Sequence, residues 1–219
     1  MLNIVLGILM TFGPVLGYID QIMKFRATKS SFGFSLDTPG ILLISSIIRV
    51  FFWIGKRFDI ILLYQSIVMI IVQIWLLYEC IRYRIPTLSI HNRKRWFWNW
   101  RSFRPYMTCL IVLLGHLIFF SNFFGDQVWF IELLGYLALG IECTLPMPQA
   151  VQNYKNKSVS GFSPFILLTW FFGDSFKIYY YVFYSKNSPL QFALCSAIQL
   201  LVDCVIVVQF IIYGESNRK

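Results

Sequence analysis

The chain has 219 residues, of which 58% are hydrophobic and only 13% charged. A soluble domain carries about 25% charge, so a soluble enzyme with a large polar catalytic domain is excluded. The composition also excludes disorder and a disulfide-built secreted module; the five cysteines, odd in number and without a C-x-x-C pair, give no metal or redox signal.

About 127 residues are apolar, and one membrane-spanning helix needs roughly 20. Hydropathy predicts helical segments at 2–23, 37–55, 60–82, 106–124, 128–150, 164–184 and 189–213. The first has no basic n-region and no small-residue cleavage site, which predicts a retained helix, not a signal peptide. The loop after it carries Lys24, Arg26 and Lys29. The loop after the third segment carries Arg82, Arg84, Arg93, Lys94, Arg95, Arg101 and Arg104. Lys155 and Lys157 follow the fifth segment, and Arg218 and Lys219 lie in the tail. The opposite side has only Lys56, Arg57 and Lys186. This asymmetry, fourteen against three, accounts for the net charge of +9 without nucleic acid as a partner. It predicts a cytosolic C-terminus and a lumenal N-terminus.

A shift of 128 residues superposes the chain on itself without a gap. Gln21 then meets Gln149, Lys29 meets Lys157, and Ser30 meets Ser158. Gly33-Phe34-Ser35 meets Gly161-Phe162-Ser163, and intramembrane Arg49 meets Lys177. Each repeat holds three segments. Three is odd, so the segment between the repeats restores their common orientation. The expected fold is all-α: seven transmembrane helices in a 3+1+3 arrangement of two parallel three-helix bundles. The expected divisions are 1–84, 85–127, 128–213 and a tail at 214–219. Transporters built from parallel repeats place their site between the halves, near the midplane.

Pro148-Gln149 followed by Asn153, Lys157 and Gly161-Phe162-Ser163 resembles a PQ-loop, and Asp20-Gln21 with Lys29 and Gly33-Phe34-Ser35 is its partner in the first repeat. Asp20 stands where that family usually has proline. Longer stretches, IIRVFFWIGKRF at 47–58, ELLGYLA at 132–138, GDSFK at 173–177 and SPLQFALC at 188–195, closely resemble the PQ-loop-repeat-containing branch of solute carrier family 66. The resemblance implies an energy-independent phospholipid scramblase of endosomal and trans-Golgi membranes, with membrane phospholipids as partners and no cofactor. Two alternatives stay open. One is a proton-coupled exporter of a small amino-acid-like solute. The other is a cargo or sorting receptor on the same fold. Oligomeric state is not derivable from the sequence.

Charge in the hydrocarbon region costs roughly 2.5–3.5 kcal/mol per residue on insertion scales. Arg49, Glu142, Asp174, Lys177 and Asp203 therefore stand out, with Gln199 one turn before Asp203. Asp174 and Lys177 share a helical face. Either these residues line a polar groove for a headgroup or solute, or they are ion pairs that lock the bundles in register. Pro146 and Pro148 remove helical amides, so Asp20, Gln21, Pro148 and Gln149 form candidate hinges, with Gly33 and Gly161 serving turns. The basic and aromatic loop with Arg93, Lys94, Arg95, Trp96, Trp98 and Trp100 reads as an interfacial, lipid-contacting segment. His116 and the cysteines read as packing residues. No nucleotide loop, catalytic triad or metal spacing is present, which excludes an enzyme of those kinds.

Overall fold

The computed structural model describes residues 2–31, 34, 36–84, 98, 100, 102–157, 159, 164–184 and 188–216. Gly33, Gly161, Arg93, Lys94, Arg95 and Trp96 lie outside them. Every regular element among the described residues is helical. In chain order these are α1 (Leu2–Thr28), α2 (Asp37–Lys56), α3 (Ile60–Arg82), α4 (Phe103–Phe124), α5 (Val128–Glu142), α6 (Met147–Asn156), α7 (Pro164–Tyr179), a π-helical turn (Tyr180–Tyr184) and α8 (Leu190–Ser216). Five stretches are long and apolar enough to cross a membrane: α2, α3, α4, the α5–α6 pair and most of α8.

Local chemistry sets the ends of these helices. Asp59 caps α3 by accepting a hydrogen bond from the Ile61 amide at 3.1 Å. Lys29, Arg57 and Lys157 adopt left-handed backbone at the C-terminal ends of α1, α2 and α6, where a chain leaves a helix. The predicted segment 128–150 is not one helix. It breaks after Glu142, because the amide missing from Pro146 cannot continue the helical ladder.

α3 packs against both α1 and α2, and α8 packs against α5, α6 and α7. The two groups meet where α2 lies along α5 and where α1 touches α7. α4 packs mainly against α2 and α3, its last residue Phe124 meets Trp129 and Phe130 at the start of α5, and its outer face exposes Ile111, Val112, Phe119 and Phe123. His116 lies on that exposed side, its Nδ1 2.7 Å from the Val112 carbonyl, and does not enter the core. The five cysteines are free thiols.

The α2–α5 contact depends on small residues from both helices: a Cβ on Gly55 of α2 would come within 2.7 Å of Ile131 of α5. A Cβ on Gly135 would come within 2.7 Å of both Phe52 and Gln191. Small residues let membrane helices approach closely. Gly135→Val is therefore expected to cost about 1–3 kcal/mol through overpacking. A fall in melting temperature of the detergent-purified protein measures it; an unchanged transition would mean that α5 can shift freely.

The described end of the basic loop also packs inward. Trp98 is only 7% exposed and sits edge-on to Tyr106, with ring centroids 5.1 Å apart. A Cβ on Gly40 would strike its indole at 2.7 Å. The Tyr106 hydroxyl donates to the Trp100 carbonyl at 3.0 Å and accepts from the Trp100 amide at 2.8 Å. This differs from a wholly interfacial loop: its last tryptophans join the core between α2, α3 and α4.

Candidate functional site

A cavity of about 680 Å³ lies between the two helix groups. α1 contributes Pro14, Tyr18, Asp20, Gln21 and Lys24, and α2 contributes Ser46 and Arg49. Glu142, Pro148 and Gln149 come from α5 and α6, Asp174 and Lys177 from α7, and Gln199 and Asp203 from α8. The fold thus brings all six predicted groove residues to one space.

Their partners divide them. Arg49 is 5% exposed and forms an ion pair with Glu142 across the α2–α5 contact. Its guanidinium also lies 5.5 Å from the centre of the Phe192 ring. Lys177 donates to Asp174 at 2.8 Å within α7. Asp203 is fully buried, and neither of its carboxylate oxygens has a hydrogen-bond donor among the described residues. Asp174 lies within hydrogen-bonding reach of that carboxylate, and Asp174 and Lys177 are the charges that bear on it. Two cations therefore face three acids, and Asp203 is the acid without a cation of its own.

The break between α5 and α6 is satisfied almost group by group, as irregular backbone at membrane depth must be. The Glu142 carbonyl accepts from the Leu145 amide at 3.0 Å and from Gln199 Nε2 at 3.1 Å. The Ile141 carbonyl accepts from the Thr144 hydroxyl at 2.7 Å, and the Leu139 carbonyl from the Cys195 thiol at 3.3 Å. The unwinding falls at 143–146, just before the Pro148-Gln149 pair, which occupies the first turn of α6. Gln149 donates to Asn153 at 2.8 Å on the same helix. On α1 the corresponding turn stays helical through Pro14, Asp20 and Gln21, and Asp20 pairs with Lys24 at 3.3 Å.

At one end of the bundle, polar contacts tie the two helix groups together. Lys56 of α2 pairs with Glu132 of α5, which also accepts from Gln191 of α8 at 2.6 Å. Tyr180 donates to Asp59 at 2.7 Å. Phe52, Phe58 and Phe192 stack beneath, with ring centres 5.0 to 6.3 Å apart. The other end, near Asp20, Lys24 and Gln149, has no comparable cross-group ion pair among the described residues. Sideways, the cavity reaches the surface between α1 and α7, where its lining residues Leu9, Leu16, Phe165 and Phe172 are exposed. Gly17 and Thr169 make the close approach there, at 3.4 Å from a Cβ built on the glycine.

Some residues of this architecture escape sequence reasoning. Glu79 is 1% exposed and takes a hydrogen bond from Arg26 Nε at 2.9 Å. It lies near a basic loop, so its charge looks solvated in the sequence. Ser46, the repeat mate of Asp174, and Gln65 line the cavity but carry no charge to draw notice. The third helices of the repeats align once the offset is lengthened by two residues, which sets Ile60 of α3 on Leu190 of α8. Ser66 then meets Ser196, and each donates to the carbonyl four residues back, at 2.9 and 3.0 Å. On the same register Gln73 meets Asp203 and Glu79 meets Gln209.

These features define a helical membrane protein with an internal charged cavity between two related helix groups. The chain belongs to the PQ-loop repeat family, whose model matches residues 2–62 and 130–190. It is a multi-pass membrane protein of the transport class. A curated relative is the scramblase ANY1 of Saccharomyces cerevisiae, 25% identical over 280 aligned positions that cover 94% of this chain and 69% of the yeast protein. The fold matches a eukaryotic SWEET transporter at a TM-score of 0.66, with 13% identity and coverage of 96% of this chain and 94% of that one.

Proposed function

We propose that the protein is an energy-independent phospholipid scramblase of endosomal and trans-Golgi membranes. The carrying observation is a charged cavity that opens sideways between α1 and α7 through exposed apolar residues. A headgroup moving along Arg49, Glu142, Asp174, Lys177, Gln199 and Asp203 exchanges water for fixed polar partners, which lowers the cost of taking it into hydrocarbon. Its acyl tails stay outside, against Leu16 and Phe172. No energy source is required, because a groove open to both leaflets in turn only relaxes a lipid gradient. The yeast relative that bears the name scramblase supports this reading.

The reading takes α1 and α7 as spans too, completing seven crossings with α4 as the linker between two parallel bundles. The divisions are then 1–84, 85–127 and 128–213. The basic side is cytosolic and the N-terminus lumenal, so the ion-paired end with Lys56 and Glu132 is the closed lumenal gate. The break before Pro148 is the hinge about which the second bundle rocks.

Asp203 favours one second reading. A buried acid without its own cation is what a proton-coupled exporter of a small amino-acid-like solute needs. Reconstitution into liposomes with a fluorescent phospholipid separates the two. Bleaching the outer leaflet is expected to remove well over half of the fluorescence. A plateau at one half, together with a current driven by a pH gradient and a solute, would favour the exporter.

A further inference from the structure

The two repeats share a feature on the basic face that the groove does not use. Lys29 follows the last residue of α1, and Lys157 follows the last residue of α6. They are repeat mates, and both hold left-handed backbone, with φ of 53° and 49°. A lysine is costly there, and glycine is the residue that suits this position at a helix end. Both positions bear that cost and carry a cationic side chain.

Each lysine lies over a tyrosine from the end of the third helix of its own repeat. Lys29 Nζ is 5.2 Å from the centre of the Tyr83 ring. Lys157 Nζ is 5.6 Å from the Tyr213 ring and 3.5 Å from its hydroxyl oxygen. Tyr83 and Tyr213 are equivalent in the register that sets Ile60 on Leu190. Tyr83 also carries Arg82, at 5.5 Å, and Tyr154 adds a second ring 3.6 Å from Lys157. Both lysines are exposed. The Ser31 amide donates to the Tyr83 carbonyl at 3.1 Å and ties the chain after α1 to the end of α3.

A cation laid over a ring has already lost much of its freedom, so little further ordering is needed when an anion arrives. Tyrosine prefers the headgroup layer of a membrane. Asp20 and Lys24 of α1 and Pro148 and Gln149 of α6 line the cavity, and Lys29 and Lys157 follow the C-terminal ends of those same two helices. We infer that Lys29–Tyr83 and Lys157–Tyr213 are paired docking points for the phosphodiester of membrane phospholipids. The occupant is a lipid, because the anchoring rings come from helices that the proposed topology ends at the bilayer surface. The placement rests on the scramblase reading for its orientation, but lipid binding is measured apart from lipid movement.

Substituting glycine makes the test, since it relaxes the left-handed backbone while removing the side chain. The full chain in detergent is titrated with phosphatidylserine, and bound lipid is counted by native mass spectrometry. Each of Lys29→Gly and Lys157→Gly is expected to weaken retention roughly fivefold, and both together about twenty-five-fold. The melting temperature should hold or rise, and Lys155→Gln, on the same helix end, should retain lipid as the parent does. Diacylglycerol, which lacks the phosphate, and soluble glycerophosphoserine, which lacks the tails, should bind weakly to every form. Unchanged retention in the double variant overturns the inference. So does equal loss in Lys155→Gln, which would mean a diffuse surface charge, and so does loss that tracks a fall in melting temperature. Tight binding of glycerophosphoserine would point instead to a soluble ligand.

Discussion

Glu142→Gln is expected to destabilise the protein by about 3–5 kcal/mol, because it leaves the Arg49 guanidinium buried without its counter-charge. On a chain of this size that corresponds to a melting shift of roughly 10 °C. The loss should depend on the arginine. Replacing the pair together, as in Arg49→Met with Glu142→Leu, removes both charges and both desolvation costs, so the double variant should recover most of the stability. Lipid movement should not recover with it, since the groove has then lost two polar contacts. Melting curves on the two singles and the double, with the liposome assay beside them, separate the roles. If the double variant regains both stability and scrambling, the pair only locks α2 to α5. If it regains stability alone, the charges also serve transport.

The second large effect concerns the three groups on α7 and α8. Asp174→Asn removes the partner that Lys177 holds at 2.8 Å, yet Asp203 stands close enough for its charge to be felt. The single substitution should therefore cost less than Glu142→Gln. Asp203→Asn alone should leave stability nearly unchanged, since Asp174 is its hydrogen-bonding neighbour and an asparagine amide can still donate to that carboxylate. Together they strand Lys177, and the combined loss is expected to exceed the sum of the singles by about 1–3 kcal/mol. Strict additivity in the double-mutant cycle would mean that Asp203 does not stand in for Asp174. In liposomes both singles should slow lipid movement more than they reduce folded yield; equal losses would assign the triad to structure alone.

How much of the site is written along the chain differs from residue to residue. The apolar runs, the repeat and the rare intramembrane charges are one-dimensional signals, since each depends on composition or spacing along the chain. Arg49, Asp174, Lys177, Gln199 and Asp203 could be singled out on that basis. Their pairing could be read only in part. Asp174 and Lys177 lie three residues apart, so helical geometry alone joins them. Arg49 and Glu142 belong to different repeats, and only the packing of α2 along α5 brings them together. Glu79 was hidden for the opposite reason: it sits beside a loop rich in charge, and only the fold buries it. Trp98 carried an interfacial signal by composition, but the notch at Gly40 draws it into the core.

By itself, the sequence determined an all-helical membrane chain and its internal repeat, because hydrophobic length and repeat spacing are written along the polymer, and its motifs carried the family resemblance. The tertiary structure decided the rest: which charges neutralise each other, that the fifth predicted segment unwinds at 143–146, that Lys56 and Glu132 tie α2 to α5, and that the cavity reaches the surface between α1 and α7. The physical reason is that a buried charge is stabilised by whatever stands within a few ångströms of it. In a bundle those neighbours come from helices far apart in the chain.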